Sequence, residues 1–171
     1  MGGAVADRLR WAVDTLKVAP SDRLLEIGCG NGAAVSLIGD MLVGGTITAI
    51  DRSAGAIRIA AGRNAGHVSS GRAVFVAGAL HEADLGRDRY DKIFAVNVNV
   101  FWMDADRELA ILRERLSPGG ALYLFNQPPA ADKLPLIAER TSRNLLNAGF
   151  RIRRIFENEL LPVAGVCVIG D

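Results

Sequence analysis

LLEIGCGNG, residues Leu24–Gly32, decides the reading of the fold. A run of core-like apolar residues carries an acid, Glu26, and ends in glycines at alternate positions, Gly28, Gly30 and Gly32. A tight turn needs one glycine. Three indicate that something must lie close against the backbone, because a residue without Cβ reaches left-handed angles and leaves room for an approaching group. Before the glycines, RLLEI (residues 23–27) reads as a short buried strand. After them, AAVSLIGDML (residues 33–42) has helical length before the breaker pair Gly44 and Gly45. The turn therefore joins a strand to a helix, whose N-terminus offers free N–H donors.

The same alternation continues along the chain. TITAI (residues 46–50) is a β-branched strand that ends in Asp51, and SAGAIRIAAGRNAG (residues 53–66) reads as a helix capped by Ser53 and ended by Asn64 and the glycines. AVFVAG (73–78), YDKIFAVNV (90–98) and, after the turn SPGG, ALYLF (121–125) are further strands. A helix from about Asp104 to Leu116, with Asp104 as its cap, separates the last two. Leu134, Ile137, Ala138, Thr141, Leu145 and Ala148 trace one face of a long helix that Gly149 ends. Upstream, Val5, Leu9, Ala12, Val13 and Leu16 mark an amphipathic helix stopped by Pro20 and Ser21. The tail, FRIRRIFENELLPVAGVCVIG, has two strand-like runs with no room for a crossover helix, which predicts an antiparallel hairpin. The expected product is an α/β fold, a mainly parallel sheet covered on both faces with the hairpin at one end.

Composition narrows the classes. With 171 residues, half of them hydrophobic, and a net charge of +1, the chain suits one soluble domain over residues 1–171, with residues 1–20 packing on or capping the core. Near-neutral charge speaks against RNA or DNA as a partner. Cys29 and Cys167 stand far apart and beside no histidine, so neither a disulfide framework nor a metal is expected. No window approaches the roughly eighteen apolar residues of a membrane span, and the expectation is a cytoplasmic monomer or homodimer. The MGG start resembles an acylation signal, but Ala6 stands where Ser or Thr is wanted.

The ligand class turns on glycine spacing and on the next acid. Dinucleotide sites favour G-x-G-x-x-G, whereas this turn is G-x-G-x-G, which disfavours a nicotinamide-dependent dehydrogenase; the P-loop pattern is absent. Asp51 ends the second strand about twenty residues on, where a carboxylate can accept both hydroxyls of a ribose. A nucleoside is the expected ligand.

LLEIGCGNG, ITAIDRS and LSPGGALYLF, in that order and spacing, resemble the class I S-adenosylmethionine-dependent methyltransferases. The resemblance runs from about Arg23 to the C-terminus. It implies a three-layer, Rossmann-like, seven-stranded sheet of order 3-2-1-4-5-7-6 with strand 7 antiparallel. It further implies S-adenosylmethionine as methyl donor, released as S-adenosylhomocysteine. Glu26 would support the glycine loop and the methionine end, Gly28, Cys29, Gly30 and Gly32 would make the close approach, and Asp51 would take the ribose hydroxyls. Arg52 would flank the adenine, with Gly78, Ala79 and Leu80 on its other side. Many members carry an acid at the position of Ala79, which cannot make that bond; a backbone group, His81 or Glu82 would have to serve, or packing alone.

The fourth strand adds Asn97 on the cofactor side and Asn99 and Trp102 as a substrate wall, the two asparagines pointing the same way if the strand continues. NVNVFW does not match the Asn-Pro-Pro-aromatic signature of base methylases. Trp11 on the first helix is a candidate for closing the site. His81, Glu82 and Asp104 suit a general base by type, but no motif fixes one, and methyl transfer chiefly needs proximity and alignment. His67 is expected in a solvated glycine-rich loop, and Cys29 as a packed residue under the turn rather than a nucleophile. The expected activity is methyl transfer to a small molecule. The alternatives are a macromolecular acceptor, protein before nucleic acid, or a silent S-adenosylmethionine-binding protein.

Overall fold

A computed structural model describes residues 5–171; Met1–Ala4, where the acylation reading begins, lie outside the described residues. The chain runs α1 (Asp7–Leu16), β1 (Arg23–Ile27), α2 (Ala33–Gly39), β2 (Thr46–Asp51), α3 (Ala54–Arg63), α4 (Ala65–Ser69), β3 (Ala73–Ala77) and β4 (Tyr90–Val96). A 3₁₀ turn (Asn99–Trp102), α5 (Asp106–Arg115) and β5 (Leu116–Asn126) follow. A second 3₁₀ turn (Ala131–Lys133), α6 (Leu134–Asn147), β6 (Ile152–Asn158) and β7 (Gly165–Gly170) complete it.

Seven strands form one sheet in the order β3-β2-β1-β4-β5-β7-β6. The first five pair in parallel, and β7 lies antiparallel to both β5 and β6, as the hairpin reading requires. Side chains alternate across the sheet because the strand period is two. Ile93 and Ala95 of β4 thus face Leu109, Leu112 and Leu145 of α5 and α6, whereas Phe94 faces Ala12, Val13, Val35 and Ile38 of α1 and α2. Leu24, Leu25, Ile47 and Ile93 are fully buried between these layers. The apolar stripe of α6 is buried at Leu134, Ile137, Thr141 and Leu145, and the helix packs on β7.

Several boundaries differ from the sequence reading for local reasons. Helix α5 starts at Asp106, with the fully buried Ala105 at its cap position and no side-chain cap. Asp104 is exposed outside it, and the acids that complement the helix dipole are Asp106 and Glu108. Helix α3 does end at Asn64, as read, and the Asn64 side chain turns inward. Helix α2 stops at Gly39, with the N–H of Met41 closing a turn on Ile38 O. SPGG is absorbed into β5, where the pairing with β4 shifts register between Tyr90 and Lys92. The expectation for Ser53 as a cap needs no change: its hydroxyl accepts the Ala56 N–H at 3.1 Å.

His67 is not solvated. It sits in α4, half-buried, with Nε2 3.2 Å from Asp40 Oδ1. Its ring lies against Gly39, where a Cβ would stand only 2.6 Å from the imidazole.

Candidate functional site

The glycine loop leaves β1 and folds back over the end of β2. The N–H groups of Gly28 and Cys29 both donate to Ile50 O, at 2.8 and 3.0 Å. Gly28 and Gly32 are glycines for want of space as well as for their positive φ of 74°. A Cβ at Gly28 would meet Val98 at 2.6 Å, and one at Gly32 would meet Ala60 and Asn64 at 2.8 Å. Gly30 differs: at φ 53° its missing Cβ would project into open space.

Asp51 ties the loop to the second strand. Its Oδ2 accepts the Gly30 N–H and its Oδ1 accepts the Ser53 N–H, both at 2.9 Å, leaving each oxygen a further lone pair. Asn64 holds the loop from beneath, donating from Nδ2 to Gly32 O (3.0 Å) and Ala60 O (2.9 Å) and accepting the Ser36 hydroxyl (2.9 Å). Sequence reading treats Asn64 only as a helix breaker. A buried asparagine at such a break is the signal that it bonds to a neighbouring loop.

Glu26 lies on the strand face opposite Leu25 and Ile27, 2% exposed, and its Oε2 has no hydrogen-bond partner. Burial, with the Asp51 carboxylate adding repulsion, pushes its carboxyl up to about 8. Cys29 is buried, and burial with the nearby Glu26 and Asp51 pushes its thiol up to about 12, which leaves it a poor nucleophile near neutral pH.

A cavity of about 440 Å³ opens at the carboxyl ends of β1, β2 and β4. Of the expected cofactor residues, Gly28, Asp51, Arg52, Gly78, Ala79, Leu80 and Asn97 line it; Glu26, Cys29, Gly30 and Gly32 form the loop and its underside instead. Asn99 also lines it, as does Glu108 from the first turn of α5, a residue that sequence reading missed. His81 and Asp104 do not reach it. The Glu82 carboxylate accepts the Ala79 N–H at 3.4 Å and lies 3.7 Å from His81 Nε2.

The fourth strand does not continue as the asparagine reading supposed. Asn97 takes a positive φ of 56° and ends it, and the 3₁₀ turn follows. Asn97 and Asn99 nonetheless both face a second cavity of about 450 Å³, which Trp102, Asn126, Gln127 and Lys133 also line. Trp11 lines neither cavity: its indole packs edge-on against Phe125 and Phe156, at 5.1 and 6.0 Å between ring centres.

Among the described residues, no cluster of three or more His, Cys, Asp or Glu could hold a metal, and no helix is long and apolar enough to cross a membrane.

The fold and loop have counterparts. Residues 25–122, more than half of the chain, match the family of the methyltransferase domain. An uncharacterized Synechococcus protein is 34% identical over 103 residues, covering 60% of this chain but only 25% of that protein. The uncharacterized methyltransferase YdaC of Bacillus subtilis is 25% identical over 162 residues, covering 92% of this chain and 87% of that one. Among solved structures, a SAM-dependent methyltransferase from Aquifex aeolicus superposes with a TM-score of 0.76 at 16% identity, covering 95% of this chain and 88% of that one. With its strand order, its glycine loop after β1 and this match, the chain belongs to the class I S-adenosylmethionine-dependent methyltransferase family.

Proposed function

We propose that the chain binds S-adenosylmethionine in the cavity beside the glycine loop and passes its methyl group to a small molecule held in the second cavity. The observation that carries this reading is the junction of the two cavities at Asn97 and Asn99. The residues of the first cavity fit the cofactor. Asp51 has lone pairs free for the ribose, and Arg52, Ala79 and Leu80 offer the adenine a slot. Gly30 leaves the loop face open, and Glu26 holds a buried oxygen without a partner beneath it.

When bound, S-adenosylmethionine supplies an activated methyl on a sulfonium. The protein contributes alignment: it fixes the donor through backbone and Asp51 and sets the acceptor on the far side of Asn97. A volume of about 450 Å³ suits a small acceptor better than a polymer segment.

Calorimetric titration with S-adenosylmethionine, S-adenosylhomocysteine and NADH tests the cofactor. Binding of the first two and not the third is expected. Asp51→Ala should weaken both by about tenfold or more, since it leaves ribose hydroxyls unpaired and frees the Gly30 N–H. Unchanged affinity in that variant would overturn the assignment.

A further inference from the structure

From the second cavity we infer the chemistry of the acceptor: a flat organic anion, already ionised when it binds, that needs no base from the enzyme. The inference rests on the reading of the first cavity as the methyl-donor site and goes beyond it in naming what lies opposite.

Donors outnumber acceptors among the side chains that line the second cavity: protein N–H groups engage the carbonyl oxygens of Asn97 and Asn99, whereas Gln127, whose NH₂ is spent on Leu161 O and Val163 O, keeps a free carbonyl oxygen. Asn97 Oδ1 accepts the Gln127 N–H at 2.7 Å, and Asn99 Oδ1 accepts the Trp102 indole N–H at 3.3 Å. Each asparagine is left with its NH₂. Asn126 is 5% exposed, lines the cavity, and has no hydrogen bond to its side-chain amide among the described residues. Its amide opens onto the cavity, where a ligand oxygen can accept from the NH₂. Lys133, with no ion pair among the described residues, supplies the single charge in the lining, and it is positive. Trp102 and Pro128 provide flat apolar walls.

The lining contains no Asp, Glu, His, Cys or Tyr. A neutral hydroxyl acceptor would have to lose a proton, and nothing here would take it. An anion has no such need. Its oxygen supplies the electron pair of the new bond to carbon, while the carbon–sulfur bond breaks with its pair kept by sulfur. Anion and sulfonium become a neutral ether or ester and a thioether, and no proton moves. Charge disappears on both partners, so the cavity needs only to hold the anion in line, with Lys133 as its one cation.

Benzoate and its neutral isostere benzamide are suitable probes, read by NMR titration of the side-chain NH₂ resonances with and without saturating S-adenosylhomocysteine. Benzoate should shift Asn97, Asn99 and Asn126 with an affinity about tenfold above that for benzamide, and Lys133→Gln should abolish that preference. Equal affinities, a preference that survives Lys133→Gln, or no benzoate shift up to tens of millimolar would each overturn the inference. Failure of S-adenosylhomocysteine itself to bind would overturn the cofactor reading instead, and the benzoate preference is still read on the chain alone.

Discussion

On the glycine-loop side, the cavity wall is backbone held to neighbouring backbone and to one carboxylate: Gly28 and Cys29 donate to Ile50 O, and Gly30 donates to Asp51. On the Asn97 side, the wall is held by side-chain amides reaching across distant loops. Gln127 Nε2 donates to Leu161 O and Val163 O at 3.2 and 2.8 Å, and Asn144 Nδ2 donates to Phe101 O and Met103 O at 3.0 and 3.3 Å. The first wall allows little variation, since backbone geometry and missing Cβ atoms set it. The second can change shape by changing an amide.

The largest effect should follow from filling the first wall. Gly32→Val would place a branched side chain where even a Cβ meets Ala60 and Asn64 at 2.8 Å, on a backbone at φ 74°. A loss of about 3 kcal/mol or more in urea unfolding is expected, together with loss of S-adenosylhomocysteine binding. Gly30→Ala sharpens the point. Its Cβ meets nothing within 4 Å, so it should cost only about 1 kcal/mol of stability yet still obstruct the ligand. Equal destabilisation by the two would break the picture of a loop packed beneath and open above.

Glu26 offers the next test. Its carboxyl titrates near 8 in the fold, against an ordinary value of 4.5. Between those pH values the folded chain holds a proton that the unfolded chain has released, so stability falls as pH rises through this window. Glu26→Gln cannot ionise and should remove that decline. At pH 9 the variant should be more stable than the parent by an amount on the order of a few kcal/mol, with little difference at pH 4. Parallel pH profiles of urea unfolding for the two proteins would show that Glu26 is already ionised in the fold.

The contrast between the walls also accounts for what the sequence made legible. The strands along the chain, the glycine loop and Asp51 could be read because each is local: a periodicity, a breaker, or an acid at the end of a strand; the order of the strands across the sheet followed from the family resemblance. The second wall could not. Asn126 ends β5 and Gln127 follows it as unremarked polar residues, and the meaning of Gln127 lies in partners thirty or more positions away, at Asn97 and Val163. The rule that ligands sit beyond the carboxyl ends of strands, applied to β5 as it was to β1, points to them. Trp11 misled for the opposite reason. An aromatic on a helix near a site invites a ligand, but Trp11 is already packed edge-to-face with Phe125 and Phe156.

Gln127→Ala gives the smallest effect and the sharpest separation of the two walls. It removes the two bonds that fasten the β6–β7 connection, while its backbone N–H, which holds Asn97, is unchanged. A stability loss of about 1 kcal/mol is expected, because Leu161 is exposed and Leu161 O can turn to water. Benzoate affinity should fall several-fold as the second cavity loosens, with S-adenosylhomocysteine affinity untouched by calorimetry. A matching loss of S-adenosylhomocysteine affinity would mean that the amide network also props the glycine-loop side through Asn97, and the division between a fixed donor wall and an adaptable acceptor wall would fail at the residue the two cavities share.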